Sequence, residues 1–208
     1  MTQLIFPAII AKNQRELDAE LKKLQGTGKT LHLDVVDGKF APNRSLEFPF
    51  TLKSSYKYQA HLMIKKPEVW IKKNLQRIDL FIPHFEAIHY HSRYILWMKK
   101  MKKKIAFAIL PQTTVEHLKE HLPYIDYVLI LTVHPGFYGS KYLASELKKI
   151  KQIKKINPKV KVIVDGGMNP KTIRDAQKAG ADLFVSGSYV TKNGDSKKAM
   201  EELMEMLR

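Results

Sequence analysis

The sequence contains no cysteine, which excludes disulfides, thiolate metal sites and a cysteine nucleophile together. It also lacks a long apolar run. The one N-terminal stretch of that kind, Leu4 to Ala11, is interrupted by Pro7 and has no basic leader. Such a stretch is too short to span a bilayer, so the expected setting is the cytoplasm, with no membrane partner. There is no Gly-rich fingerprint in the turn after the first apolar stretch, which argues against a dinucleotide-binding open sheet. Linkers and low-complexity segments are missing as well. Acidic residues are scarce beside basic ones, 20 against 36, for a formal charge of +16. An excess of that size raises nucleic acid, an anionic surface or phosphorylated substrates as partners. Its lysines crowd into Lys99 to Lys104 and Lys148 to Lys161, and beside the second run Leu143, Leu147, Ile150 and Ile153 keep a helical period. With no aromatic side chains interleaved to stack bases, these runs read as solvated helix faces, and a nucleic-acid partner is not expected.

What is present is regular alternation. The 208 residues suit one domain, 1–208, long enough to bury a substantial core. Leu4 to Ile10 reads as a strand, followed by a helix over Asn13 to Leu24 with Asn13 as its N-cap. Leu31 to Val36 is a strand, followed by a turn at Pro42-Asn43 and a short helix near Phe50 to Ser54. Tyr58 to Ile64 precedes a helix opened by Pro67. Asp79 to Phe85 leads to a helix at His91 to Lys103, and Ile105 to Leu110 to one at Val115 to Leu122. Tyr127 to Val133 leads through a Pro-Gly loop to a helix at Lys141 to Ile156. Val160 to Val164 precedes Pro170 to Ala179, and Ala181 to Ser186 precedes Ser196 to Leu207. Eight strictly alternating units predict an α/β fold of the closed (β/α)8, or TIM barrel, type.

In such a barrel the chemistry gathers at the carboxyl ends of the strands. His32 and Asp34 stand two apart near the end of the second strand and share a face, with Leu31, Leu33 and Val35 on the other. His61 lies in the third strand, His84 and Glu86 end the fourth, and Asp165 ends the seventh. An imidazole and a carboxylate are costly to bury unless something pairs with them. His32, Asp34, His61 and Asp165 could hold a divalent metal; two nitrogen and two oxygen donors suit zinc, with iron, manganese and cobalt left open. Carboxylates from strands two and seven, facing each other across the barrel mouth, suit removal of a proton from one face of a carbon and delivery to the other. Gly166-Gly167 and Gly187-Ser188 follow the last two strands, where barrels often bind phosphate on backbone N–H groups. Gly136 and Gly139 flank a loop placed to close over the same end.

The stretches His32-Leu-Asp-Val-Val-Asp-Gly-Lys-Phe-Ala-Pro-Asn43, His61-Leu-Met-Ile-Lys-Lys-Pro67, His84-Phe-Glu86, Thr132-Val-His-Pro-Gly-Phe137, Val164-Asp-Gly-Gly167 and Ser186-Gly-Ser188 together resemble the ribulose-phosphate 3-epimerase family. The resemblance runs from Phe6 to about Val190. It implies a ribulose-phosphate-binding barrel that inverts carbon 3 of a pentulose 5-phosphate through a cis-enediolate, a step of the pentose phosphate pathway. No organic cofactor is implied, and a homo-oligomer is. By position, the family's metal ligands fall on His32, Asp34, His61 and Asp165 and its acid–base pair on Asp34 and Asp165. Substrate and phosphate contacts fall on His61, Gly136, Gly139, Gly166, Gly167, Gly187 and Ser188.

The chain departs from the family around that core. Ala8 stands where a serine is usual, His134 for a glutamate, Tyr138 for a glycine and Ser140 for a glutamine. Val36 and Leu131 replace two of three pocket methionines, Met63 being kept, and Glu47 replaces a glycine. These changes raise a second reading, the same chemistry on a hexulose 6-phosphate. A third, motivated by the charge, is a barrel that binds phosphorylated ligands or RNA without catalysis; the intact tetrad argues against it.

Overall fold

The computed structural model describes residues 3–136 and 139–208. Nine strands are found among them: β1 (Ile5–Ile9), β2 (Thr30–Asp37), β3 (Arg44–Ser45), β4 (Lys57–Met63), β5 (Leu80–Pro83), β6 (Ala106–Ile109), β7 (Tyr127–Leu131), β8 (Lys161–Asp165) and β9 (Leu183–Ser186). Eight of them pair in parallel in the order β5-β4-β2-β1-β9-β8-β7-β6, with β3 antiparallel on β2. A single bridge from His84 to Ala108 joins the two ends. The sheet is thus a barrel whose seam lies between β5 and β6.

Side-chain parity explains why these strands sort into two cores. Alternate residues face opposite sides of a strand, so Phe6, Ala8, Ile82, Ala108, Leu129 and Ile163 fill the barrel interior. Their neighbours Ile5, Leu33, Phe81, Phe107 and Phe184 face outward and are buried under the helices. Each side chain of that size contributes about 1.5–3 kcal/mol on full burial. Both faces of β2 are therefore covered, and its inward positions His32 and Asp34 lie in the same column as the apolar filling.

The helices are α1 (Gln14–Lys23), α2 (Pro67–Asn74), α3 (His91–Lys100), α4 (Lys148–Ile156), α5 (Ile173–Lys178), α6 (Ser188–Thr191) and α7 (Ser196–Glu205). Asn13 caps α1 as expected, accepting from the Glu16 N–H at 2.9 Å while Glu16 returns to the Lys12 N–H at 2.8 Å. Pro67 sits in the first turn of α2. No helix among the described residues is long and apolar enough to cross a membrane.

The expected helix near Phe50 to Ser54 does not form. Pro49 keeps Phe48 out of helical geometry, and side chains take the backbone groups that a helix would have paired. Arg77 donates to the Phe50 carbonyl, and the Gln14 amide both donates to and accepts from the Thr51 backbone. Phe50 itself is buried against Trp70, with the Arg77 guanidinium over its ring. The segment expected as a helix at Val115 to Leu122 is two 3-10 turns, Val115–Leu118 and Leu122–Tyr124. Pro123 supplies no N–H there to continue an α-helix. Within the lysine-rich run, Lys149 departs from the solvated reading: it is 4% exposed, paired with Glu146 at 2.6 Å and donating to the Leu110 and Pro111 carbonyls.

Candidate active site

Strand register brings the predicted ligands together. Asp34 on β2 is the partner of His61 on β4, and Asp165 is the last residue of β8, opposite Leu131. All four residues turn one donor atom to a common point, with those atoms within 4.8 Å of one another. His32 Nε2 lies 3.3 Å from Asp34 Oδ1 and 3.8 Å from Asp165 Oδ2. His61 Nδ1 lies 3.5 Å from Asp34 Oδ1 and 3.3 Å from Asp165 Oδ2.

Buried polar atoms nearly always have a hydrogen-bond partner. Here His32 Nε2, Asp34 Oδ1 and His61 Nδ1 are buried and have none, so three of the four converging atoms are orphans. A tetrahedral ion with ligand bonds of about 2.05 Å sets its ligands about 3.3 Å apart, close to the 3.3–3.8 Å of the four histidine–carboxylate pairs. The donor set, its burial and its spacing fit a metal ion, which would satisfy these three converging atoms at once.

The charges are mutually adjusted. Burial would raise the Asp34 carboxyl, yet the His32 and His61 imidazoles beside it hold it down at about 2. For His61 burial favours the neutral ring, but Asp165 and Asp34 outweigh it and lift the imidazole to about 9. Without a metal, the neighbouring carboxyl groups thus favour the charged form of the His61 ring.

The rim is built by side chains that tie one strand end to the next. The Thr132 hydroxyl donates to the Asp165 carbonyl at 3.0 Å and the Gly166 carbonyl at 2.6 Å, and Ser186 donates to the Met168 carbonyl at 2.9 Å. Asp37 accepts from the N–H groups of Lys39, Phe40 and Lys65, each at 2.8 Å. Burial opposes its ionisation, and those three donors still lower its pKa. Gly166 has φ +108°, and a Cβ there would stand 2.6 Å from Val133 Cγ2, so only glycine fits the turn.

A cavity of about 430 Å³ opens above this cluster, within the range of small-ligand sites. Asp34, His61 and Asp165 line it, whereas His32 does not. Gly136, Gly139, Gly166, Gly167, Gly187 and Ser188 all line it. So do the divergent positions Ala8, Val36, Leu131, His134 and Ser140. Tyr138, the remaining divergent position of the Gly136–Gly139 loop, lies outside the described residues.

Lys192 and Asn169 also line the cavity, and neither stands out in the sequence. Lys192 is four residues past Ser188, but among so many lysines its type carries no signal. His84 and Glu86 have no assigned role in the sequence beyond their place at the rim. His84 proves to contact the cluster, its Nε2 lying 2.9 Å from His61 Nε2, and its Nδ1 lies 3.3 Å from Glu86 Oε2.

The fold and site define a (β/α)8 barrel with a buried two-histidine, two-carboxylate cluster under a glycine-rimmed cavity. The model of the ribulose-phosphate 3 epimerase family matches residues 4–191, and the chain belongs to that family. It is 32% identical to the ribulose-phosphate 3-epimerase of Bacillus subtilis over 96% of this chain and 97% of that one. It is 34% identical to the enzyme of that name from Treponema pallidum, over 88% and 89%. Among solved structures it resembles 3-keto-L-gulonate-6-phosphate decarboxylase from Vibrio cholerae, with a TM-score of 0.71 at 11% identity, over 100% and 98% of the two chains. That last likeness is one of fold.

Proposed function

We propose that the protein is an isomerase that inverts carbon 3 of D-ribulose 5-phosphate to give D-xylulose 5-phosphate. The observation that carries this reading is that Asp34 and Asp165, on strands separated by β1 and β9, line one cavity and flank the same two imidazoles. One carboxylate takes the carbon 3 proton from one face, leaving an enediolate. The other, protonated, returns a proton to the opposite face. Each turnover therefore exchanges the protonation states of the two residues, and the reverse reaction runs from the exchanged state.

Asp34, ionised at neutral pH, is ready to act as a base. His32, Asp34, His61 and Asp165 would hold one divalent metal ion, zinc by the donor set. Bound there, it would supply the Lewis acidity that a weakly acidic carbon next to a carbonyl needs. Gly166, Gly167, Gly187 and Ser188 take the substrate phosphate on backbone N–H groups, with Gly136 and Gly139 bordering the sugar. The glycines keep that rim free of side chains, so the anion reaches the backbone. The same reading takes in a homo-oligomer and a cytoplasmic setting, both carried by the family.

Ala8 and Val36 favour a second reading, a hexulose 6-phosphate as substrate, because small side chains at those two cavity positions leave room for one more carbon. Turnover measured side by side on the pentulose and hexulose phosphates, with metal-loaded protein, distinguishes the two. Activity on the hexulose alone would move the assignment to the second, and activity on neither would remove both.

A further inference from the structure

Beyond the four converging residues, a chain of buried polar contacts runs from His61 across the barrel seam. His61 Nε2, the nitrogen turned away from the cluster, meets His84 Nε2 at 2.9 Å. His84 is fully buried, and Phe40 packs on its ring with centroids 4.6 Å apart. Its other nitrogen, Nδ1, meets Glu86 Oε2 at 3.3 Å. The second carboxylate oxygen, Glu86 Oε1, accepts from the Leu110 N–H at 3.0 Å and from the Thr113 hydroxyl.

Two ring nitrogens in contact must be one donor and one acceptor. A carboxylate only accepts, so His84 Nδ1 carries a proton toward Glu86. That leaves His84 Nε2 as an acceptor, and His61 Nε2 must donate to it. The lone pair of His61 Nδ1 is then the one directed at the cluster. We infer that His84 and Glu86 are positioning residues that set the tautomer and ring orientation of His61 for metal binding. The inference rests on the proposed metal site and extends it to two residues that reach no reacting atom. Outer-shell partners of this kind are worth about 10–100-fold in metal affinity.

Glu86→Gln isolates the effect, because an amide has one accepting oxygen where the carboxylate has two. The Leu110 N–H is a fixed donor and claims that oxygen, so the amide NH2 turns to His84. His84 must then accept at Nδ1 and carry its proton on Nε2, where it meets the His61 N–H as a second donor.

The experiment has two arms. In zinc-loaded wild-type protein, long-range proton–nitrogen correlation spectra of the histidines are expected to show His84 protonated on Nδ1 and bare at Nε2. A His84 protonated on Nε2 would overturn the inference without any variant having to fold. In the second arm, zinc alone is titrated against a competing chelator. Glu86→Gln is expected to bind about tenfold or more weakly, and equal affinity in the two proteins would overturn the inference while leaving the metal site standing. Wild-type protein that takes up no zinc would overturn the metal reading itself, and the positioning role with it.

Discussion

Asp34 and His61 are register partners on adjacent parallel strands, and their facing atoms, Oδ1 and Nδ1, lie 3.5 Å apart. One pair of β-ladder positions therefore delivers half of the cluster. A slip of β4 by one residue against β2 would turn His61 toward the helices while Asp34 stayed inside, so the register that builds the sheet also builds the site.

That pairing makes metal uptake sensitive to pH. His61 is lifted to about 9 in the metal-free protein, and an ion can take Nδ1 only after its proton leaves. Zinc affinity should therefore rise about tenfold per pH unit between about pH 6.5 and 8.5 and flatten near 9, with one proton released from His61. Chelator competition across that range measures it, and a flat profile would contradict the charged state of His61.

The same group couples to folding of the metal-free chain. Its folded pKa is raised above the unfolded value, so its contribution to stability is fully present below about pH 6.5 and is lost as the pH rises through about 9. Denaturation midpoints of metal-free protein should fall over that interval. Zinc-loaded protein should not show this fall, because the metal has replaced the proton.

Asp165→Asn should abolish epimerisation, lowering kcat by about 10²–10⁴-fold or more, with circular dichroism unchanged. Because Asp34 remains, variant protein shown to hold its metal should still exchange the carbon 3 proton of one epimer with solvent, and not of the other. Exchange in both epimers would remove Asp165 from the mechanism.

Gly166→Ala should destabilise the protein by about 1–3 kcal/mol, since the backbone is left-handed there and a methyl group would press on Val133. Urea unfolding gives the value. A midpoint equal to wild type would mean that the turn can rearrange.

Lys192→Ala should raise KM for the phosphorylated sugar by about tenfold, with kcat little changed. The residue lines the cavity beside Gly187 and Ser188, and a cation's hydrogen bond to a phosphate is worth about 1.5–3 kcal/mol. An unchanged KM would place the ammonium away from the phosphate.

Much of this was legible in the sequence because parity and spacing are local. Alternation in Leu31 to Val36 marks the inward face of β2, and the glycine pairs after β8 and β9 mark the rim. What escaped was set by contacts distant in sequence. The helix expected near Phe50 is missing because Arg77 and Gln14 satisfy that backbone. Lys149 is buried because carbonyls at Leu110 and Pro111 await it. The His84 and Glu86 contacts depend on how the seam closes, which the spacing of the two residues does not reveal.

The most direct test of the central claim is proton NMR of D-ribulose 5-phosphate in D2O with metal-loaded protein. The carbon 3 proton signal should be lost to solvent deuterium as D-xylulose 5-phosphate appears. An undiminished carbon 3 proton, in protein shown to hold its metal, would contradict the claim.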